Sequence, residues 1–328
     1  PTRIFQLINR AADDIQGIRE ATILSILLVA VVSIALIAQR YLLKSGSYDI
    51  IKGKSMRPTL IKLRKSRYPL LILSFFTLII IVVVPMAMIF LVGLLKSYGL
   101  PLTPSNFTLK NYTNILFNNK MVQDGIRNSL LLSTSAGVID MFLGVMIAYV
   151  IIKVKPKGKG ILEFLSMLPY SLPGTVLAIG VILAWSGRIF GINLYNSLWI
   201  ILIAYLARYL SFSLNSSSAA LRQVHPSLEE ASRSCGASHT ESLKDITFPL
   251  IRPAMVSGFF LIFLPAMREL TTSALLYGPY TRTLGVAIYS LRSDGYITQA
   301  SALATLAIIL IIVVNWIINW ITKDRKGV

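Results

Sequence analysis

Seven long apolar runs, nearly free of charge, dominate this sequence. A helix rises about 1.5 Å per residue, so about 20 apolar residues cross a hydrocarbon layer about 30 Å thick. The runs fall at 21–39, 69–95, 129–152, 161–185, 196–220, 253–275 and 299–322. They predict an all-α polytopic membrane bundle of about seven transmembrane helices. Pro85 lies inside the second run and predicts a kink that neighbouring helices absorb. The fifth and sixth runs are the least clean, because they contain Arg208 and the pair Arg268–Glu269.

Composition agrees. Hydrophobic residues make up 55% of the chain, charged residues 14%, and the mean hydropathy is +0.68. A soluble domain averages about 45–50% apolar and about 25% charged. These values exclude a soluble enzyme, a disordered tail and a secreted disulfide scaffold. The net charge of +18 would suggest nucleic acid in a soluble protein. Here the cations sit in short loops between apolar runs, and zinc-finger or RNP-like spacings are absent, so membrane topology accounts for them. Cys235 is the only cysteine, and with His225 and His239 it makes no zinc pattern. Pro1 stands first and no charged segment precedes a short apolar run, so the expectation is a piece of a longer precursor.

Lys and Arg hold loops on the cytoplasmic side. Twenty lie in 40–68, 153–160, 221–252 and 323–328, against ten in the alternate loops. The expected topology therefore puts the N-terminus of the chain outside and the C-terminus inside, which an odd number of spans satisfies. Trp199, Trp316 and Trp320 fall towards run ends, where interfacial Trp is expected. Segment 40–68 is basic and polar and reads as a linker. The organisation is then residues 1–39 with one lone span, the linker 40–68, a six-span unit 69–322 and a tail 323–328.

The loop between the fifth and sixth runs is too patterned for a plain connector. Ser227 with Glu230 spells a capping box behind Pro226, Gly236 suits a helix end, and Ser238 with Glu241 spells a second box. The expectation is helix, glycine turn, helix, with the second helix stopping at Pro249. Leu228, Ala231 and Cys235 share one side of the first helix, a docking stripe for a soluble partner. The alternative is an interfacial amphipathic linker with no partner.

The same loop resembles a known family. Glu230-Ala231-Ser232, Gly236 and Ile246-Thr247-Phe248-Pro249 keep every spacing of the EAA loop of ABC importer permeases, with Ser232 and Phe248 as mild departures. LPYSLPGTVLAIG (168–180), RELTTSALLYGPYTRTLGVAIY (268–289), FTLKNYTNIL (107–116) and IRNSLLLS (126–133) are similar to segments of the ferric iron permeases, whose chains commonly fuse two six-span halves. GKSMRP (53–58) is similar to their inter-half connector. On that likeness 21–39 is the last span of a first half and 69–322 a whole second half, in the type I permease fold with cytoplasmic coupling helices.

The resemblance implies a mechanism and partners. Cytoplasmic ABC ATPase subunits would bind ATP and dock on loop 227–249, through Ser227, Glu229, Glu230, Ala231, Gly236, Ile246 and Pro249. An external or periplasmic binding protein would deliver the substrate. The missing first half or a second permease copy would complete the path across a bacterial inner membrane. Ferric iron is the expected substrate; thiamine, phosphonate, sulfate and polyamine permeases share much of the pattern. No cofactor is expected on the chain itself. Gly53-Lys54-Ser55 is not a phosphate loop, since Tyr48 stands where a glycine is required and Pro58 blocks the following helix.

Charges inside the runs are costly and must face the bundle interior or water. Asp140, Arg208 and Glu269, with the helix-breaking Pro173 and Gly174, are candidates for the translocation path. The competing reading pairs Asp140 with Arg208 as a structural ion pair. Which residues, if any, hold a metal is left open by the sequence. A secondary transporter driven by an ion gradient is a rival supported only by Asp140 and Glu269. A membrane enzyme is a weaker one, lacking HExxH or GxSxG.

Overall fold

The computed structural model describes residues 15–45, 66–187 and 191–323. The rest of linker 40–68 and the tail beyond 323 lie outside the described residues. Ten main helices form among the described residues. They are α1 (Ile15–Ser45), α2 (Arg67–Leu94), α3 (Lys120–Val154), α4 (Lys159–Ser171), α5 (Gly174–Trp185), α6 (Leu198–Gln223), α7 (Pro226–Ser234), α8 (His239–Met267), α9 (Leu284–Ser293) and α10 (Ile297–Lys323). Among the described residues no strand forms, as an apolar chain with these run lengths requires.

Five of these helices, α2, α3, α6, α8 and α10, are long and apolar enough to cross a membrane. The pair α4–α5 makes a sixth only if counted together, because it bends by 112°. The first apolar run, 21–39, lies inside the 31-residue helix α1. The fourth run is thus not one straight helix. Pro173 has no N–H and drives Leu172 into extended backbone (ψ 144°), which opens the helix between Ser171 and Gly174.

Two other prolines sit inside continuous helices behind π-turns. Pro85 lies within a continuous α2, Arg67 to Leu94, and a π-turn at Ile79–Val83 makes room for its ring. The second loop helix does not stop at Pro249. It carries a π-turn at Leu243–Thr247, passes Pro249 and continues as α8 to Met267. The wider turn leaves space for the proline ring where a regular helix would clash. Consequently α8 ends earlier than the expected 275, and Arg268 and Glu269 stand in the turn beyond it.

Helices α3, α6 and α8 form the central three-helix core. Gly144 of α3 touches Ser213 of α6 so closely that a Cβ would overlap the serine side chain, and a Cβ on Gly137 would press Phe259 of α8. Tyr205, Tyr209, Leu132, Ile201 and Ile262 fill the interior. Helices α9 and α10 pack beside α3 and α2, and the 280–284 turn is pinned to α3. Asn128 donates to the carbonyls of Tyr280 (3.2 Å) and Arg282 (2.9 Å), and the Leu284 N–H donates to Ser129 (2.7 Å). The outward faces, such as Ile72, Phe76 and Ile81 of α2, are apolar and exposed, as lipid contact demands.

Candidate functional site

At the basic end of the bundle, α7 lies across the ends of the spanning helices. Its first cap is not Ser227. Pro226 occupies the first turn, where its fixed φ suits a helix start, so the cap falls on His225, whose Nδ1 accepts from the Ser227 N–H (3.3 Å). The Ser227–Glu230 box therefore does not form. The second box does: Ser238 accepts from the Glu241 N–H (3.3 Å), and the Glu241 carboxylate accepts from the Ser238 N–H (2.7 Å). Between them Gly236 holds φ +94°, a left-handed value that favours glycine.

The engaged acid of this helix is Glu229, not Glu230. Its Oε1 accepts from Lys153 Nζ (3.1 Å) and from Thr247 Oγ1 (2.6 Å). Lys153 belongs to a π-turn that ends α3, Val150–Val154, and Thr247 to the π-turn of α8. Each extra residue turns a polar side chain towards the same carboxylate. Burial alone would raise the Glu229 carboxyl, but the Thr247 hydroxyl and the Lys153 ammonium outweigh it and hold it below the usual carboxylate range. Lys153 also donates to the Val224 carbonyl (3.4 Å), and Tyr149 of α3 meets His239 Nε2 at 2.8 Å. Glu230 and Ala231 stay exposed, Ile246 is half-buried in the π-turn, and Pro249 is exposed just beyond it. Lys153, Thr247, Tyr149 and His239 were not legible as a unit, since nothing in their spacing brings three helices together.

Deep in the bundle a second polar cluster forms around Glu269. The carboxylate accepts from Tyr209 (2.7 Å), Thr271 (2.7 Å) and the Thr272 N–H (2.9 Å), and faces Arg208 Nε at 3.7 Å. Arg208 in turn donates to the Leu172 carbonyl (3.4 Å), the group left free where α4 breaks before Pro173. Gly174 opens α5 against the same turn, where a Cβ would overlap Thr271 Oγ1. Arg208, Glu269, Pro173 and Gly174 thus meet in one place.

Asp140 does not join them. The competing Asp140–Arg208 pair does not form: Arg208 faces Glu269, while Asp140 sits fully buried on α3 between Gly137 and Gly144 with neither carboxyl oxygen bonded among the described residues. Among the described residues no cluster of three or more His, Cys, Asp or Glu is placed to hold a metal.

Residues 140–327 match the family model described as the binding-protein-dependent transport system inner membrane component. The chain belongs to this family. It is an ABC importer permease subunit, a multi-pass inner-membrane protein. A permease named for 2-aminoethylphosphonate transport, PhnV of Salmonella paratyphi A, is 28% identical over 239 residues, 73% of this chain and 88% of that one. The ferric transport system permease protein FbpB of Actinobacillus pleuropneumoniae is 30% identical over 223 residues, 67% of this chain, and the match spans only 32% of FbpB. In fold, the permease is similar to a crystal structure of a bacterial ABC transporter involved in alginate import. The TM-score is 0.61 at 19% identity, covering 79% of this chain and 95% of that one.

Proposed function

We propose that this permease moves ferric iron from an external binding protein to the cytoplasm, driven by ATP hydrolysis on a separate ABC ATPase. The observation that carries the coupling is the grip of two spanning helices on Glu229 of the surface helix α7. A partner that shifts α7 must shift the ends of α3 and α8 with it. The basic end, with Lys153, Lys155, Lys157 and Lys159, is the cytoplasmic one by the charge rule. There the ATPase docks on the exposed stripe Leu228, Ala231 and Cys235. The other half of the path comes from a preceding permease half or a second permease copy, and the spans rock between inward-open and outward-open states around it.

Iron is supported by the likeness to FbpB, a ferric transport system permease protein. A phosphonate is the second reading, and one observation favours it. The Glu269 carboxylate is already taken by Arg208, Tyr209, Thr271 and Thr272, while Arg268 beside it is exposed, an arrangement better suited to an anion or an anionic metal complex. Cells carrying the full-length protein should be assayed for uptake of labelled ferric iron and labelled 2-aminoethylphosphonate, with an ATPase pull-down alongside. Iron uptake that needs the permease supports the proposal. Phosphonate uptake alone moves the substrate, and uptake without any co-purifying ATPase rejects the importer mechanism in favour of an ion-driven carrier.

A further inference from the structure

A cavity of about 880 Å³ opens at the basic end, bounded by the end of α3, the 155–159 turn, the end of α6 and one side of α7. Its size falls in the range of about 300–1,000 Å³ typical of ligand pockets. Lys155, Lys159, Arg222 and Arg233 line it, and none of the four makes an ion pair or side-chain hydrogen bond among the described residues. Lys153 and Glu229 also border it but neutralise each other. Glu163 and Glu230 are the remaining acids, so the cations exceed the free carboxylates by two.

The rest of the wall is apolar, from Ile151, Ile152 and Leu221. Beyond the rim α4 presents Ile161 and Leu165, 66% and 56% exposed. Cations at the level where spanning helices end, above an apolar face that continues into the bilayer, match the two chemistries of an anionic phospholipid. The α7 residues that line the cavity are Pro226, Glu229, Glu230 and Arg233. At 3.6 residues per turn these lie on the side of α7 opposite Leu228, Ala231 and Cys235. Partner docking on that stripe and ligand entry here do not compete for the same face.

We propose that this cavity binds the phosphate headgroup of an anionic phospholipid, with Lys155, Lys159, Arg222 and Arg233 around the phosphate and the acyl chains along α4. Bound there, the lipid braces the Lys153–Glu229 contact from behind and ties coupling efficiency to the charge of the inner leaflet.

The test is native mass spectrometry of the full-length protein in detergent, exposed in turn to phosphatidylglycerol, phosphatidylcholine and glycerol 3-phosphate. Several-fold more retained phosphatidylglycerol than phosphatidylcholine is expected, with little retained glycerol 3-phosphate. The Lys159→Ala/Arg222→Ala variant should lose that preference, whereas Lys110→Ala, far from the cavity, should keep it. Because the double variant can misfold, the milder Arg222→Gln is run beside it and should show a partial loss at unchanged thermal stability. Equal retention of the two lipids overturns the proposal. Retention of glycerol 3-phosphate as strong as that of the lipid makes the site one for a soluble anion, which also overturns it. A variant that keeps its lipid but loses the ATPase assigns the cavity to protein docking instead.

Discussion

Replacing Glu229 by Gln keeps the shape of the side chain and removes its charge. The 3.1 Å pair with Lys153 is lost and the 2.6 Å bond from Thr247 becomes a neutral one. Two unit charges at that separation attract by roughly 5 kcal/mol at an effective dielectric of about 20. Desolvation offsets much of this, since the Lys153 and Glu229 side chains are only 13% and 16% exposed. Hydrogen bonds to charged groups retain about 1.5–3 kcal/mol net. A loss of about 2 kcal/mol corresponds to a roughly 30-fold shift from gripped towards released α7. In proteoliposomes holding the full-length permease and its ATPase, substrate moved per ATP should fall at least about ten-fold on that scale. ATPase co-purification should persist, because the docking stripe is untouched. Glu230→Gln should leave transport per ATP unchanged, since Glu230 is exposed and makes no ion pair among the described residues. Unchanged transport per ATP in Glu229→Gln would refute the grip.

The same carboxylate sets a pH dependence. Its folded-state pKa lies below the unfolded value. Its contribution is therefore complete above the ordinary carboxylate pKa and disappears as pH falls through the lower folded value. Thermal stability of the wild type, compared with Glu229→Gln across that acidic range, should converge on the variant's only at the acidic end.

Gly236→Asp should release the ATPase in a pull-down without altering membrane insertion. A Cβ at Gly236 meets nothing within 4 Å, so the cost is backbone strain at φ +94°, about 1–3 kcal/mol, and Gly236→Asn should be milder. Gly174→Ala should lower the melting temperature and uptake together, because its Cβ overlaps Thr271 Oγ1 and lies 2.8 Å from Thr272 Oγ1, an overpacking cost of about 1–3 kcal/mol. Asp140→Asn should leave uptake within about two-fold, since neither carboxyl oxygen has a hydrogen-bond partner to lose among the described residues; a much larger loss would return Asp140 to the transport path.

The spanning helices were legible because their apolar runs are long and their punctuation is local. Gly236 and the Ser238–Glu241 box were legible for the same reason: a turn or a cap is decided within four residues. Ser227 failed because two local rules compete at one place, and the proline preference for the first turn displaced the serine cap. Pro249 failed as a stop signal because a π-turn upstream removed the clash that makes proline a breaker. The Arg208–Glu269 pair was hidden for a different reason. Residues 61 positions apart meet only because α4 breaks and α8 ends early, and both events are tertiary outcomes.

The two polar clusters are connected by one helix. α8 begins at the Tyr149–His239 contact, carries Thr247 in its π-turn, and ends at Met267, two residues before Glu269. Its 29 residues span roughly 43 Å at the usual rise, enough to join the coupling face to the intramembrane cluster. On the proposed coupling, a shift of α7 passed through Glu229 would reach the turn at Glu269, which pairs with Arg208, and through the Leu172 carbonyl the break in α4. If α8 carries that coupling, Glu229→Gln and Gly174→Ala act on one equilibrium from opposite ends. The double variant should then lose clearly less transport per ATP than the two single losses multiplied. Simple multiplication of the two losses would mean that the clusters work independently, and that the grip on Glu229 serves docking alone.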